Sequence, residues 1–315
     1  MPLSLTQFAK AGFTDLSAAR DEFEALGPAL KLDGEAFLEV IAPVADPDRA
    51  LAAFRRLVDH SLADVKKLLG KPHGLKRLLY ILGGSRGLAD FVLRHPHSLS
   101  IFAKNPALPG DQEKLRTLLC ESVKPNNGFA ELSGDAGRDA LRIRYRELLT
   151  QIALFDLMHP EPQEQIDMVT GALSDIAGGA LEAALCVART EVSDTYSRDE
   201  VALVDLAIIG MGKCGARELN YLSDVDVIYV ARSRDEEKLG NEKMLTIATR
   251  LAQHTARAIY EVSREPGLWE VDANLRPEGK DGGEAIPENR ARDQEIKGGA
   301  LIAPEVCDVT KELAV

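Results

Sequence analysis

No two cysteines in this chain have the spacing of a metal knuckle or a redox pair. Cys120, Cys186, Cys214 and Cys307 stand far apart, which argues against a structural zinc site and a CxxC oxidoreductase and suits free thiols in a reducing compartment. Basic charge is also scarce. The formal net charge is -12, so there is no footprint for non-specific nucleic-acid binding, and no nucleic-acid partner is expected. No apolar run approaches the roughly 18 residues of a membrane span, and the opening MPLSLTQFAKAGF has neither a basic leader nor a long apolar stretch. No membrane association is expected, and the cytoplasm is the default location. Internal repeats and low-complexity segments are absent as well.

What is present is a chain of 315 residues, 45% hydrophobic, long enough for about two domains with cores of their own. Residues 1–196 read as helices punctuated by proline and glycine at KPHG, HPHS, NPALPGD, KPNNG and HPEPQ, and no strand is needed there. In the segment 46–70, Asp46 suits an N-cap, Pro47 the first helical position, and Gly70 the end after Lys66 and Lys67. Leu51, Phe54, Val58, Leu62, Val65 and Leu69 then share a face. Two further helices are expected over 141–158 and 167–192, the second rich in alanine and suited to close packing. Arg142, Arg144 and Arg146 on the first read as a solvated face rather than a phosphate contact.

The pattern changes near residue 197. VALVDLAII (201–209) and DVIYV (226–230) have the β-branched character of buried strands, a helix follows over about 242–263, and LWEVDANL (268–275) reads as another strand. The fold class expected is α+β: a helical domain over 1–196, a small mixed-sheet domain over 197–283, and an atypical tail over 284–315.

Between the first two strands, Gly210, Gly212 and Gly215 satisfy G-x-G-x-x-G, the dinucleotide fingerprint of a Rossmann NAD-dependent oxidoreductase. That fingerprint requires a full helix crossing over to a parallel strand. Only about eleven residues separate Gly212 from Asp224, which is short for such a crossover. The second strand also opens with Asp224 and Asp226, two residues apart and therefore on one face. Adjacent carboxylates at a buried strand end raise each other's pKa unless a cation neutralises them. A pair of this kind suits Mg²⁺, and Asp272 at the end of the third strand can join it. With a glycine loop able to approach phosphate oxygens, the pattern points to metal-assisted phosphoryl or nucleotidyl transfer. A non-catalytic helical interaction protein is the remaining alternative; its partner binding would be indifferent to Asp224 and Asp226.

The stretch GMGKCGARELNYLSDVDVIYV (210–230) and the segment VDANLRPEGKDGG (271–283) resemble the glutamine synthetase adenylyltransferases, bifunctional adenylyltransferase/adenylyl-removing enzymes of the DNA polymerase β-like nucleotidyltransferase superfamily. The likeness extends upstream through LKRLLYILGGSRGLADFVLRHP (75–96) and LRIRYRELLTQIALFDL (141–157). It implies Asp224, Asp226 and Asp272 as catalytic Mg²⁺ ligands. It also implies Gly210, Gly212 and Ser223 against phosphate, with Lys213, Arg217 and Arg276 as charge partners; Lys213 and Arg217 read equally as solvated loop residues. The position of the motif after some 200 helical residues resembles the N-terminal of two catalytic copies. That copy removes AMP from adenylylated glutamine synthetase by phosphorolysis. The partners implied are glutamine synthetase, ATP, ADP or phosphate, and a PII nitrogen-regulatory protein.

The chain departs from the family pattern at Cys214, where leucine is usual, at Ala216, where glycine is usual, and at Leu222, where serine is usual. A positive φ at Ala216 would strain the turn by about 1 kcal/mol. Beyond Gly283 the mixed charge and absent periodicity predict a loose tail in place of the family's further helical region, and hence a truncated, weakly active module.

Overall fold

Asp46 accepts a hydrogen bond from the backbone of Arg49, and Pro47 occupies the first helical position behind it. The helix expected over 46–70 therefore starts and stops where its caps stand. The computed structural model describes residues 3–273, 285–288 and 300–301, and it divides the chain into two compact units.

The first unit, residues 1–108 and 149–164, is helical. Its elements are α1 (Leu5–Lys10), α2 (Leu16–Leu30), α3 (Gly34–Ile41), α4 (Pro47–Leu69), α5 (Gly74–Gly84) and α6 (Arg86–Arg94). Phe8, Phe23, Phe37 and Phe54 are buried in contact along its core. The face read for α4 holds in its first half, where Leu51, Phe54 and Val58 are buried. At Ser61 the backbone leaves helical geometry (φ -143°, ψ 41°). Beyond the interruption Val65 is buried as expected, but Leu62 is exposed, and Leu68 is buried where Leu69 is only half-buried.

The second unit, residues 109–148 and 165–315, begins with α7 (Gln112–Ser122). A two-residue turn then joins β1 (Pro125–Asn126) to β2 (Phe129–Ala130). This hairpin is a strand pair where none was expected. Asn127 and Gly128 both have positive φ, as a type I′ turn requires. Next come α8 (Gly134–Met158), shared between the units, α9 (Ile166–Val192) and α10 (Arg198–Ala202). Thus α7, the first half of α8, and α9 group with the sheet, whereas the sequence reading placed them with the N-terminal helices. The reason is burial: from Gly171 to Arg189 every residue of α9 is buried, so the helix is a core element with no solvent face to read. Pro162–Val192 is the one described helix long and apolar enough to cross a membrane, and 94% of its most apolar window is buried inside the protein.

The sheet follows: β3 (Val204–Gly210), the single turn α11 (Gly212–Gly215), β4 (Val225–Ser233), α12 (Asn241–Tyr260), β5 (Val271–Asp272), β6 (Ala285–Pro287) and β7 (Ala300–Leu301). The strand order is β5-β4-β3-β7, with β6 also paired to β4. The sheet is mixed, because β3 runs antiparallel to β4 and β7 while β5 and β6 run parallel to β4. The α+β expectation holds.

Part of the tail behaves differently from expectation. Ala285 and Ile286 are buried, and Ile286 joins Ala207, Ile209, Ile228 and Val230 in one apolar cluster on the sheet. Strand alternation over three residues is enough to dock it, and a segment that short shows no periodicity in sequence. Ile286→Ala is expected to cost about 2–5 kcal/mol, the range for truncating a buried isoleucine, read from urea unfolding. A loss below about 0.5 kcal/mol, the range of surface substitutions, would mean that β6 contributes nothing.

Candidate active site at the carboxylate strands

The strand direction separates the two readings of the glycine turn. Gly210 on β3 stands opposite Val227 on β4 in an antiparallel pair, so the connection 211–224 is a hairpin loop containing one helical turn. A dinucleotide fold needs a crossover helix to a parallel neighbour at this point, and that geometry is absent. The dinucleotide-fingerprint reading of Gly210, Gly212 and Gly215 is therefore overturned.

Within the loop, the Met211 amide donates to the carbonyl of Asp226 at 2.8 Å. Gly212 has φ +52°, and a Cβ built on it would lie 2.7 Å from Asp226 Oδ2. The glycine is thus explained by the aspartate: only a residue without a side chain lets the turn close over this carboxylate. Gly212→Ala is expected to cost about 1 kcal/mol or more through the left-handed backbone and to displace the Asp226 carboxylate. An alanine variant with wild-type stability and wild-type cation affinity, measured by calorimetry, would refute this role.

The carboxylates are gathered by the sheet. Asp226 and Asp272 are register partners on the parallel strands β4 and β5, whose backbones lie about 4.8 Å apart, and paired residues project on the same side. The Val225 amide donates to the Glu270 carbonyl at 3.0 Å and anchors this pairing. Asp224 is exposed just before β4, and Asp226 and Asp272 are half-buried. Burial pushes the Asp226 carboxyl above its ordinary value, the charges of Asp224 and Asp272 push it further, and Lys213 pulls it down. Asp224, Asp226, Asp272 and Lys213 therefore share one electrostatic site.

Among the described residues, no three His, Cys, Asp or Glu side chains are gathered tightly enough to surround an ion by themselves. The three expected ligands do not form a closed cage; Asp226 and Asp272 are brought into register, with Asp224 within electrostatic reach. This donor set fits a hard divalent cation that takes one or two carboxylates from the protein and the rest of its shell from water and phosphate oxygens. It does not fit a zinc-type cage.

The remaining expected site residues fall in several places. Gly210 ends β3, and Gly215 ends α11. Lys213 is exposed on α11, and Ser223 is half-buried beside Asp224. Arg276 lies outside the described residues. Arg217 is an exposed loop residue, its side chain 49% accessible, but it is also paired: both of its terminal nitrogens bond the Asp175 carboxylate on α9, Nη2 at 2.9 Å. Ala216 has φ -76°, so the strain expected there is absent, and the left-handed non-glycine residue of the loop is Arg217 at φ 61°. Cys214 is buried, and its thiol is pushed up to about 11, by burial first and then by Asp175 and Asp226. It is a protonated packing group.

The solvated face read for Arg142, Arg144 and Arg146 is corrected at two of the three. Arg144 pairs with Glu147 and keeps a side chain 42% exposed. Arg142 is 0% exposed. It donates to the Ala258 carbonyl at 2.9 Å, and to Ser263 Oγ and the Glu265 carbonyl at 2.8 Å each. Arg146 donates to the carbonyls of Pro266 and Gly267 at 2.6 and 2.8 Å. Asp139 accepts from the Glu265 amide, and Trp269 donates to the buried Tyr145 hydroxyl. Residues 139, 142, 145 and 146 lie three or four apart on one face of α8. Together they hold the segment 258–269 that delivers Asp272 to β5. That spacing was available in the sequence, but it does not say that a backbone segment would cover the face.

A family model described as glutamate-ammonia ligase adenylyltransferase matches residues 75–291. The chain is 44% identical over 285 residues to a bifunctional glutamine synthetase adenylyltransferase/adenylyl-removing enzyme of Leifsonia xyli subsp. xyli, covering 89% of this chain and 28% of that protein. Proteins of the same description match from Streptomyces avermitilis, at 38% identity with 89% and 26% covered, and from Mycolicibacterium smegmatis, at 39% with 75% and 23% covered. The chain spans between about a fifth and a third of the length of these relatives. With a model match over more than half of its residues, the chain belongs to the glutamate-ammonia ligase adenylyltransferase family.

Proposed function

We propose that this chain is a nucleotidyl-transfer module that holds Mg²⁺ at Asp226 and Asp272, with Asp224 beside them, and removes AMP from adenylylated glutamine synthetase. The observation that carries the reading is the register pair Asp226 and Asp272 under a glycine turn that has room for the Asp226 carboxylate only because residue 212 is glycine. Carboxylates in register at a strand end, with the Asp226 carboxyl raised by burial and by the neighbouring charges, form a place for a divalent cation next to phosphate.

The residues divide the work as follows. Asp226 and Asp272 supply hard oxygen donors, and Lys213 places a cation at the rim of the same field, where a phosphate can use it. Mg²⁺ bound there supplies charge neutralisation at the reacting phosphorus. In the phosphorolytic direction, an oxygen of inorganic phosphate forms a bond to the AMP phosphorus while the bond from phosphorus to the tyrosine oxygen breaks. ADP leaves, and the tyrosine oxygen takes a proton. The removing direction is supported by the resemblance of GMGKCGARELNY, following some 200 helical residues, to the N-terminal catalytic copy. Glutamine synthetase is the protein partner of this reading, and phosphate and ADP are its small ligands.

The experiment is incubation of the chain with adenylylated glutamine synthetase, Mg²⁺ and phosphate. The expected result is ADP formed in step with loss of the adenylyl group, abolished by EDTA. ADP no higher than in the EDTA control would overturn the proposal, and AMP release independent of phosphate would change the reaction to hydrolysis.

A further inference from the structure

The loop that carries the site is held at its middle by a helix outside the sheet. Asp175 lies on α9, with its side chain 7% exposed, and takes both terminal nitrogens of Arg217. One turn earlier on the same helix, a Cβ at Gly171 would lie 3.2 Å from Arg217 Nη2, so the missing side chain leaves room for the guanidinium. Ser174 Oγ accepts from the Leu219 amide at 3.3 Å and donates to the Thr170 carbonyl at 2.9 Å.

Residues 217–219 are therefore strapped to α9 at two points. Arg217 sits in the left-handed region at φ 61°, a conformation that a non-glycine residue keeps only when its surroundings impose it. Upstream, the Glu218 amide donates to the Lys213 carbonyl at 2.8 Å, and Gly212 lies against Asp226. Downstream, four residues separate Leu219 from Asp224. The strap thus lies between the glycine turn and Asp224. A bidentate carboxylate–guanidinium pair fixes orientation as well as distance, which a lysine at residue 217 would not do.

We infer that Asp175 is a positioning residue, which through Arg217 sets where the glycine turn and Asp224 stand relative to Asp226. The inference rests on the reading of these carboxylates as the reactive site, and it reassigns Arg217 from a phosphate contact to part of the strap.

The test compares wild type, Asp175→Asn, Arg217→Gln and the double variant in the 315-residue chain, with two readouts. The first is hydrogen–deuterium exchange without metal. Amides of 211–224 are expected to exchange about tenfold faster or more in each variant, with β3 and α12 unchanged, as for a local opening. The second is kcat and KM for phosphate in AMP removal. Each single variant is expected to lower kcat by about 10²-fold, the scale of a small misplacement of reacting groups, with KM for phosphate held. The double variant is expected to match the singles, because both remove one interaction. Unchanged exchange over 211–224 in both single variants overturns the inference whatever the turnover. A raised KM for phosphate in Arg217→Gln, with Asp175→Asn retaining wild-type kcat, also overturns it, since Arg217 would then act on phosphate directly. If wild type turns nothing over while exchange rises in both variants, the positioning stands and the proposed reaction falls.

Discussion

Asp226→Asn is expected to lower Mg²⁺-dependent AMP removal by about 10²–10³-fold, the scale of deleting one preorganised electrostatic group, while leaving thermal stability at pH 7 unchanged or slightly higher. The two effects have one cause. The Asp226 carboxyl is raised above its ordinary value by burial and by the charges of Asp224 and Asp272, so without a cation its ionised form opposes folding. An acid whose pKa is higher in the folded state binds its proton more tightly there. Its contribution to stability is therefore greatest at low pH and declines as pH rises through the raised folded value. Asparagine carries no such dependence. The stability advantage of the variant should thus be present near neutrality and vanish below about pH 4, the ordinary range of an aspartate. Thermal unfolding of both proteins between pH 3 and 8 with EDTA, alongside turnover with saturating Mg²⁺, checks both halves. Retained turnover in the variant would remove Asp226 from the site. A variant less stable at pH 7 than at pH 4, relative to wild type, would show that the carboxylate is structural.

Arg142→Met is expected to destabilise the protein by about 3–5 kcal/mol, because it leaves buried acceptors without their donor. Arg142 is fully buried, and the Ala258 and Glu265 carbonyls accept from it. Methionine matches the length of the stem and packs comparably, so the loss isolates the hydrogen bonds from the volume. Arg142→Lys keeps a charge but cannot present several donors in one plane, and its stability should fall between the two. Because 258–269 delivers Asp272 to its register opposite Asp226, the lysine variant is expected to lose more in turnover than its remaining folded fraction accounts for. Urea midpoints of the three proteins and turnover per folded molecule measure this. A methionine variant within about 1 kcal/mol of wild type, the size of a single ordinary hydrogen bond, would show that the segment is held by other contacts.

The parts of the site legible in the sequence are those set by neighbours along the chain. The glycine turn and the strand that follows it, with Asp226 near its start, are encoded within residues 210–226, through the two-residue period of a strand and the permissive backbone of glycine. The shortness of the loop argued against a dinucleotide crossover, and the antiparallel register of Gly210 and Val227 agrees. In the same way, Asp46, Pro47 and Gly70 marked a helix whose caps the structure retains, because capping bonds reach only three or four residues.

Local pattern did not reveal what the charged residues would meet. Arg142, read as solvated, is buried because a segment more than a hundred residues later folds over it. Arg217, read as a phosphate contact or a solvated loop residue, finds Asp175 at a separation of 42 residues. Ile286, in a stretch without periodicity, is buried because β4 offers it an edge. The sequence by itself thus determined the α+β class, the ends of α4 and the glycine–aspartate turn, all of which follow from interactions within a few residues. Only the tertiary structure decided that Asp226 meets Asp272 and that α8 and α9 hold the strands carrying them. A guanidinium or carboxylate on a helix has the same local signature whether water or a distant backbone satisfies it, and the choice is made by which segments pack together when the core closes.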